Sequence, residues 1–457
     1  MPTGLTWIVL ILLTIVASQA ANPSHLVRNL PGQPQVQFKQ YAGHLVVNAS
    51  AQRAYFYWFF EADHQNQTSQ PLALWLSGGP GCSSVGAGAF GEIGPFSVDI
   101  SGTKLEKRRN AWNKAANLIF LESPHGTGFS YTNITSDYTI YNDEMTASDN
   151  LQFLLEWFRN FPEYSKNEFY LLGESYSGHY IPTLAMKILE NNANGKNIIN
   201  LKGFSLGNAW TDPAHDMRGD VEFYYSHSLI PEQTYNELIQ NCDFSTMRPI
   251  LGGSMNPNCQ GASAITNRLI SGLSHYNIYK PPCKNGSSIT SQSLHTNMLV
   301  NAYNPCDDKT ESYLNQRSVQ ASLNLASSGN STNSWKLCNS KASEYYQASD
   351  IIVSMLPLYK SLIQKKLRIW IYSGDADGVV STLSTRSWIK ELNLTSQTPW
   401  FAWSHKDKVA GWSQAYNGLT FLTVLGAGHM VPLDKPQQAL SLFEHFLKGK
   451  VPPSFAN

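Results

Sequence analysis

The chain has 457 residues, enough for one large core that carries an insertion. Hydrophobic residues make up 42% and charged residues only 14%, so core material is ample and the surface carries few charges. The formal net charge is zero, with 33 basic and 33 acidic side chains, which excludes a charge-driven attraction to nucleic acid or to an anionic membrane.

The first predicted element is an apolar run over residues 7–16, followed by small residues. Ser18 and Ala20 occupy the two small-residue positions of a signal-peptide cleavage site, and the run is shorter than the roughly 20 residues that cross a bilayer. We predict a signal peptide over residues 1–20 and no membrane anchor after its removal. The alternatives are an N-terminal anchor or a buried helix.

Apolar strand patterns and amphipathic helix patterns alternate through both ends of the chain. Runs that stop at turn residues are typical of buried parallel strands, which helices cover on both faces. The sequence therefore predicts an α/β fold with a central, mostly parallel sheet flanked by helices. Predicted strands lie within residues 36–61 (two strands), 71–76, 117–121, 169–172, 369–372 and 421–425; predicted helices cover residues 143–158, 351–365 and 437–447.

This alternation dissolves between residues 213 and 344, where Asn, Ser, Gly and Pro accumulate. Four of the six cysteines lie within it between residues 242 and 306. We predict an α/β core of residues 21–212 and 345–457, interrupted by an inserted, disulfide-pinned cap over residues 213–344.

The cysteines and the glycosylation sequons agree with secretion. An even number of cysteines suggests three disulfides in an oxidising compartment, although counting alone allows fifteen pairings. A metal site is not expected, because neither Cys-x-x-Cys nor His-Glu-x-x-His occurs. We predict passage through the secretory pathway to an extracellular, vacuolar or lysosomal location. The cysteines are Cys82, Cys242, Cys259, Cys283, Cys306 and Cys338; the sequons are at Asn48, Asn66, Asn133, Asn285, Asn330 and Asn393.

A candidate nucleophile follows the predicted strand that ends at residue 172. Residues 173–178 read GESYSG, which places Ser175 on a tight turn between a strand and a helix. Ser177 stands where a strict G-x-S-x-G motif has its second glycine, and serine is small enough for that turn. The alternative is an ordinary strand–turn–helix connection with polar capping.

Two later motifs supply the partners that a nucleophilic serine needs. Residues 374–377 (GDAD) and residues 426–429 (GAGH) each follow a predicted strand. The chain order Ser…Asp…His is that of an α/β-hydrolase triad, in which His429 is the base and the acid orients the imidazole. Either Asp375 or Asp377 fits at this point, and each motif alone has a structural alternative.

A glycine-rich turn at residues 78–81 (GGPG) can bring a backbone amide to a developing oxyanion. The second donor would be the amide of the residue after the nucleophile, Tyr176. The alternative is a plain turn.

Five separated motifs together resemble the serine carboxypeptidases, and most closely the plant-type members, over roughly residues 28–450. The resemblance implies an α/β-hydrolase fold and a cofactor-free peptidase that acts on peptide or protein C-termini. The motifs are residues 75–84 (WLSGGPGCSS), 122–131 (ESPHGTGFSY), 173–178, 374–377 and 426–432 (GAGHMVP).

The resemblance also assigns roles to single residues. It selects Asp377 over Asp375, and it makes the amides of Gly79 and Tyr176 the oxyanion donors. Met430 would line the pocket of the leaving residue, and a neutral methionine there predicts a preference for apolar C-terminal residues. The carboxylate of the substrate would be held by Trp75, Ser77, Gly78, Glu92 and Glu174. The disulfides would be Cys82–Cys338, Cys242–Cys259 and Cys283–Cys306.

Two positions depart from the family pattern. Ser77 replaces an asparagine of the carboxylate-binding segment and offers a single donor, a change shared with plant relatives that transfer acyl groups from glucose esters. His125 occupies a usually small, apolar position and is interpreted as a packed loop histidine.

The sequence thus predicts a serine-type carboxypeptidase that works through an acyl-enzyme and is most active in mildly acid solution. The rivals are an acyltransferase that uses glucose esters and a secreted glycoprotein that binds ligands without catalysis. The physiological substrate and the oligomeric state, a homodimer included, are left open.

Overall fold

The computed structural model describes residues 22–195, 198–245, 256–282, 308–325 and 334–455. The predicted signal peptide, Cys283, Cys306 and the sequons at Asn285 and Asn330 lie outside these ranges. No helix within them is both long enough and apolar enough to cross a membrane.

One large sheet of eleven strands organises the molecule. The strands are β1 (Gln40–Asn48), β2 (Arg53–Phe60), β3 (Leu72–Leu76), β4 (Phe96–Val98), β5 (Leu105–Lys107), β6 (Asn117–Leu121), β7 (Tyr131–Thr132), β8 (Phe169–Glu174), β9 (Leu201–Gly207), β10 (Arg368–Gly374), β11 (Phe401–His405), β12 (Lys408–Tyr416) and β13 (Leu419–Val424). The sheet order is β1-β2-β6-β3-β8-β9-β10-β13-β12-β11, with β7 paired to β2, while β4 and β5 form a separate pair. The six strands from β6 to β13 are parallel to one another, and antiparallel strands extend both ends.

The sheet is covered on both faces, as the nearly uninterrupted apolar strand sequences require. All eight residues of β2 are buried, and its six aromatic residues, 55–60, alternate between two cores. Tyr57 belongs to one core and Trp58 to the other. Successive side chains of a strand point to opposite faces of the sheet, so every second side chain packs into the same core.

Helices form both covering layers. Phe153 and Trp157 of the first long helix pack into the core with Tyr57, and Phe443 and Phe446 of the last helix pack into the core with Trp58. The α-helices are α1 (Asp143–Asn160), α2 (Ser177–Ala193), α3 (Pro213–Ser226), α4 (Glu232–Asn241), α5 (Pro257–Ile270), α6 (Asp308–Leu314), α7 (Arg317–Ser322), α8 (Ser340–Tyr345), α9 (Ala348–Ile351), α10 (Leu356–Gln364), α11 (Thr382–Glu391), α12 (Val431–Asp434) and α13 (Pro436–Lys448). A π-helix spans Ser84–Ile93, and 3-10 helices span Pro23–His25, Gln67–Ser69, Trp112–Lys114, Thr135–Thr139 and Pro162–Tyr164.

The predicted fold class is confirmed, with additions. Each predicted strand and helix has a counterpart in the structure, but β9 in the centre of the sheet and the β11–β12 hairpin at its edge were not predicted. The described residues between 213 and 345 are helical or irregular. Of these helices, α3 packs closely against α11.

The outer edge of β11 is covered by residues 453–455. Ser404 donates a backbone hydrogen bond to Pro453 O (2.9 Å), and Phe455 donates one to Ala402 O (2.8 Å). This edge strand is therefore paired on both sides.

Candidate active site

The candidate catalytic residues follow three parallel strands, β8, β10 and β13, in the middle of the sheet. Glu174, the last residue of β8, pairs with Gly207 of β9, and Gly374 of β10 pairs with Val424 of β13. The carboxyl ends of these strands therefore lie at one edge, where ligand sites of open α/β sheets form. Ser175 follows β8, Asp377 follows β10 and His429 follows β13.

Ser175 has a left-handed backbone conformation with φ of 59°. Such a conformation is costly for a residue with a Cβ and persists only when its surroundings impose it. Here the Ser175 amide donates to Gly207 O (3.1 Å), and Ser175 O accepts from the amides of Gly178 and Trp210, each at 2.9 Å. The serine thus stands on a strained turn directly ahead of α2.

Ser177, the departure from the strict motif, fits the turn. Its hydroxyl donates to Leu76 O at 2.7 Å. A Cβ built on Gly173 would lie 2.7 Å from the Ser177 Cβ, so the small residue is needed at position 173. Serine at 177 fastens the turn to the end of β3.

Asp377 and His429 form a buried pair. The Nδ1 of His429 donates to Asp377 Oδ2 at 2.7 Å, and both residues are fully buried. The carboxylate also accepts from the amides of Val379 (2.8 Å) and Val380 (3.2 Å). These donors stabilise the charged carboxylate and fix its orientation toward the imidazole. Within the described chain, His429 Nε2 has no hydrogen-bond partner and is available to accept a proton.

The pKa of His429 lies above its ordinary value of 6.5. Burial acts to lower it, but the charge of Asp377, the hydrogen bond to that carboxylate and the charge of Glu174 together outweigh burial. The site therefore favours the imidazolium that forms when the histidine takes a proton.

Asn208, which the sequence analysis missed, completes the support of Asp377. It directly follows β9, and its Nδ2 donates to Asp377 Oδ2 at 2.7 Å. Its Oδ1 accepts from the amide of Gly374 at 3.0 Å. A sequence signal existed, because Asn208 follows a strand end as Ser175 does. It could be recognised only if β9 had been predicted.

A second missed feature is the strap segment, residues 275–278, from the region predicted as the cap. The His429 amide donates to Tyr276 O at 2.7 Å, and the two rings meet edge to face with their centroids 4.7 Å apart. The strap thus connects the loop that carries Asp377 with the loop that carries His429. Its bonds to the acid loop run from Gly378 N to His275 O (2.9 Å) and from Ile278 N to Ala376 O (3.1 Å).

The glycine-rich loop lies against Ser175, the candidate nucleophile. A Cβ built on Gly78 would be 2.5 Å from Tyr176 N and 2.8 Å from Ser175 Cβ. Gly79 has φ of 114°, a conformation that favours glycine. The predicted oxyanion residues Gly79 and Tyr176 are therefore on adjoining segments beside Ser175.

The predicted carboxylate-binding residues form a buried polar group that includes Glu174, the residue directly before Ser175. Trp75 Nε1 donates to Ser77 Oγ at 2.9 Å, at the end of β3. Glu92, on the π-helix, and Glu174 are each only 1% exposed. Burial and then the charges of Glu174 and Glu92 raise the pKa of Tyr372.

Met430 and His125 are both buried. Met430 is 7% exposed and belongs to the core that contains Trp58. His125 stacks on Tyr141 with centroids 4.4 Å apart, and its Nε2 bonds to Asp137 O at 2.9 Å. Burial, chiefly, lowers the pKa of His125 to about 4, so it is a neutral, packed loop residue near pH 7.

Two of the three predicted disulfides, Cys82–Cys338 and Cys242–Cys259, are present in the structure. Asn66, Asn133 and Asn393 are exposed, and Asn48 is half-buried. Over the described ranges, no group of three or more His, Cys, Asp or Glu side chains is arranged to hold a metal ion.

The sheet order, the turn at Ser175 and the Asp377–His429 pair define an α/β hydrolase. A family model described as serine carboxypeptidase matches residues 31–449. The chain belongs to the serine carboxypeptidase family, as the motifs predicted, and it is a hydrolase.

Curated relatives and a solved structure agree with this placement. Serine carboxypeptidase 24 of Arabidopsis thaliana is 43% identical over 439 residues, covering 93% of this chain and 92% of the relative. Serine carboxypeptidase-like 31 of the same plant is 44% identical over 457 residues, covering 95% and 91%. The crystal structure of Kex1(Δ)p, a prohormone-processing carboxypeptidase from Saccharomyces cerevisiae, matches with a TM-score of 0.79 over 94% of this chain and 96% of that chain. At 24% identity this last likeness shows the fold alone.

Proposed function

We propose that this enzyme removes C-terminal residues from peptides through an acyl-enzyme on Ser175, with Asp377 and His429 completing the triad. The observation that carries the proposal is the buried 2.7 Å bond between Asp377 and His429 at the sheet edge where Ser175 stands on its strained turn. Family membership supports the reaction class.

In the first half of the reaction, Ser175 Oγ attacks the carbonyl carbon of the last peptide bond while His429 Nε2 takes the hydroxyl proton. The oxyanion is stabilised by the amides of Gly79 and Tyr176. The imidazolium then gives its proton to the leaving nitrogen, the C–N bond breaks and the C-terminal amino acid departs. Water repeats the sequence on the ester, which releases the shortened peptide and restores Ser175.

Recognition of a free C-terminus is assigned to the buried polar group beside the triad. Glu92 and Glu174, sharing a proton, can donate a hydrogen bond to the carboxylate of the substrate, and Trp75, Ser77 and Gly78 form the adjoining wall. Once both glutamates are charged they repel that carboxylate. Peptide binding is therefore favoured in mildly acid solution.

Protonation of His429 limits activity at low pH. Its raised pKa means that acid holds it as imidazolium, which cannot accept the Ser175 proton. We accordingly place the origin of an acid optimum in substrate binding by the glutamates and not in the triad. Exclusion of water by bound substrate adds a second influence, because it favours the neutral imidazole.

For the leaving residue we propose an apolar preference. Met430 directly follows the catalytic histidine, and its neutral, flexible side chain offers no partner to a lysine or arginine.

For localisation we propose the secretory pathway, with an extracellular or vacuolar destination. The apolar N-terminal run, the sequons and the two disulfides support it.

One observation favours a second candidate, acyl transfer from glucose esters to an alcohol. Ser77 is shorter than the asparagine of peptidase relatives, and its oxygen already accepts from Trp75 Nε1, so it retains only its single O–H for a carboxylate. A weaker carboxylate contact would suit a substrate without that group.

The deciding experiment presents blocked dipeptides, the same dipeptides as C-terminal amides, and glucose esters with acceptor alcohols, followed by mass spectrometry. We expect cleavage of the free-acid dipeptides and loss of both turnover and fluorophosphonate labelling in Ser175→Ala. Labelling of Ser177 in that variant would overturn the nucleophile assignment. Transfer to the alcohol without peptide cleavage would establish the acyltransferase instead.

A further inference from the structure

Residues 338–350, here called the return segment, span the end of the region predicted as the cap (residues 213–344) and contact the glycine-rich loop. Cys338 is bonded to Cys82 at the end of that loop. A Cβ built on Gly81 would lie only 2.6 Å from the Cβ of Ala342, so the two backbones are in close contact. The remaining contacts are hydrogen bonds, from Asn339 N to Gly81 O (2.9 Å) and from Ser343 Oγ to Pro80 O (3.0 Å).

The same segment reaches the residue after the nucleophile through one carboxylate. Tyr346 donates its hydroxyl to Asp143 Oδ1 at 2.6 Å, and Tyr176 donates to the same oxygen at 3.3 Å. The rings of Tyr346 and Tyr176 also meet edge to face at 5.2 Å. All three residues are buried. Tyr346 and Tyr176 are therefore coupled by ring packing and by a shared acceptor.

The shared acceptor is itself held in place. Asp143 Oδ2 bonds to Nδ1 of His179 at 2.9 Å, and the His179 ring stacks on Tyr176 at 4.7 Å. The Asp143 amide donates to Asp350 Oδ2 at 2.7 Å, so the return segment contacts Asp143 twice. In a close-packed interior this cage leaves the Tyr176 ring little freedom, and the amide of the same residue moves with it.

From these contacts we infer that the return segment sets the geometry of the oxyanion hole from both sides, with Tyr346 as a positioning residue. One side is the loop that carries Gly79, and the other is Tyr176. The inference rests on the proposed roles of those two amides. Oxyanion stabilisation depends on donors placed in advance at hydrogen-bond distance, so a small displacement of either one reduces the rate and leaves ground-state binding intact.

The test removes single contacts and measures transition-state stabilisation separately from binding. Tyr346→Phe deletes only the hydroxyl and keeps the ring, and Ser343→Ala deletes the bond to Pro80 O on the other side. For each we expect the second-order rate of fluorophosphonate labelling at Ser175 and the kcat for blocked dipeptides to fall by roughly tenfold. KM should stay within about twofold. Affinity for a peptide aldehyde, which forms the oxyanion, should fall in parallel with kcat.

Tyr345→Phe is the matched control, because Tyr345 is the adjacent tyrosine and is 42% exposed. It should label and turn over like the unaltered protein. Labelling rates within twofold of the unaltered protein in both Tyr346→Phe and Ser343→Ala would overturn the inference, and so would a rise in KM at constant kcat. If Tyr346→Phe fails to fold, Ser343→Ala decides the outcome. Labelling does not require peptide cleavage, so a protein that labels normally but leaves peptides intact would contradict the proposed function alone.

Discussion

Asn208 shows how much a single residue contributes to this site. It follows β9 with φ of 40°, a left-handed conformation that asparagine tolerates better than most residues with a side chain. Its backbone amide donates to Tyr372 O at 2.9 Å, while its side chain bonds to Gly374 and Asp377. Asn208 therefore links Asp377, the proposed catalytic acid, to two adjacent strand ends.

Replacing Asn208 by glycine removes the side chain and relieves the left-handed backbone. A buried hydrogen bond to a charged group contributes about 1.5–3 kcal/mol, so kcat should fall roughly 10- to 100-fold. Asp377 would also attract the His429 proton more strongly, and the acid limb of kcat should move to higher pH. Steady-state kinetics across pH measure both effects. An unchanged kcat and an unmoved acid limb in Asn208→Gly would show that the contact is incidental.

Met430 carries the prediction on specificity. Dipeptides ending in Leu or Phe should be cleaved with higher kcat/KM than those ending in Arg or Lys. Met430→Glu should raise the Arg-to-Leu ratio of kcat/KM by about tenfold or more, because it supplies a partner for the cation. Met430→Gln is the control, since it adds polarity without charge. Equal ratios in the two variants, or a dominant preference for Arg and Lys in the unaltered enzyme, would mean that Met430 is only a core residue.

Among the elements, β9 could not be predicted because its sequence is determined by packing against the adjacent strand β10 and not by local strand preference. It contains two glycines, a lysine and a serine, which separate its three apolar residues. A Cβ on Gly203 would lie 2.1 Å from Arg368 O, so the approach of β10 requires glycine where local preference disfavours it. A tertiary contact thus removed the strand signal.

The β11–β12 hairpin was missed for a local reason. Its two turn residues, Lys406 and Asp407, both have positive φ (51° and 56°). Such a turn usually has the sequence Asn-Gly or Asp-Gly, and Lys-Asp is not a recognisable turn sequence.

The candidate site was predictable where motifs follow strands and unpredictable where distant segments meet. The order of Ser175, Asp377 and His429 could be read from three strand-end motifs. The strap segment could not, because its contacts with the acid and base loops join positions more than 90 residues apart in the chain and use backbone atoms that carry no sequence signal. The disulfide pairings likewise came from the family resemblance and not from counting.

At the scale of the whole molecule, activity against pH should differ between substrates. For free-acid peptides, KM should rise with pH as the pair formed by Glu92 and Glu174 loses its shared proton, while amides and esters should keep a flat KM. Glu174→Gln should flatten the rise for peptides because only one ionisable carboxyl group then remains. The control is Glu168→Gln, an exposed residue directly before β8. A KM profile unchanged in Glu174→Gln, or no preference for a free C-terminus, would favour the acyltransferase.

Stability should also depend on pH, through a carboxyl group outside the triad. Glu122 is fully buried and accepts from Ser83 Oγ, Phe129 N and Trp335 Nε1. Burial raises its pKa from 4.5 to about 7, and these three hydrogen bonds only partly oppose burial. Ser83 caps the π-helix that carries Glu92, so this buried acid also supports an element of the site.

Whether stability rises or falls with pH depends on which state, folded or unfolded, binds more protons. Between pH 4.5 and about 7 the folded protein holds a proton on Glu122 that the unfolded chain has lost, so the free energy of unfolding decreases as pH rises. The full contribution is present below pH 4.5, and the total loss by pH 8 should be roughly 3 kcal/mol. Urea unfolding at pH 5 and pH 8 measures it. The decline should shrink in Glu122→Gln and persist in Glu106→Gln, a change at an exposed glutamate. A decline of equal size in both variants would assign it to other groups.

The pairing of residues 453–455 with β11 has a consequence for the behaviour of the protein in concentrated solution. An exposed edge strand is a template onto which a strand of another molecule can add. Here the backbone groups of Ala402 and Ser404 are already engaged, so the large sheet cannot be extended from that side. Loss of these three residues would uncover a row of unpaired donors and acceptors beside an otherwise intact active site. The shortened protein would remain catalytically competent while gaining a route to aggregation.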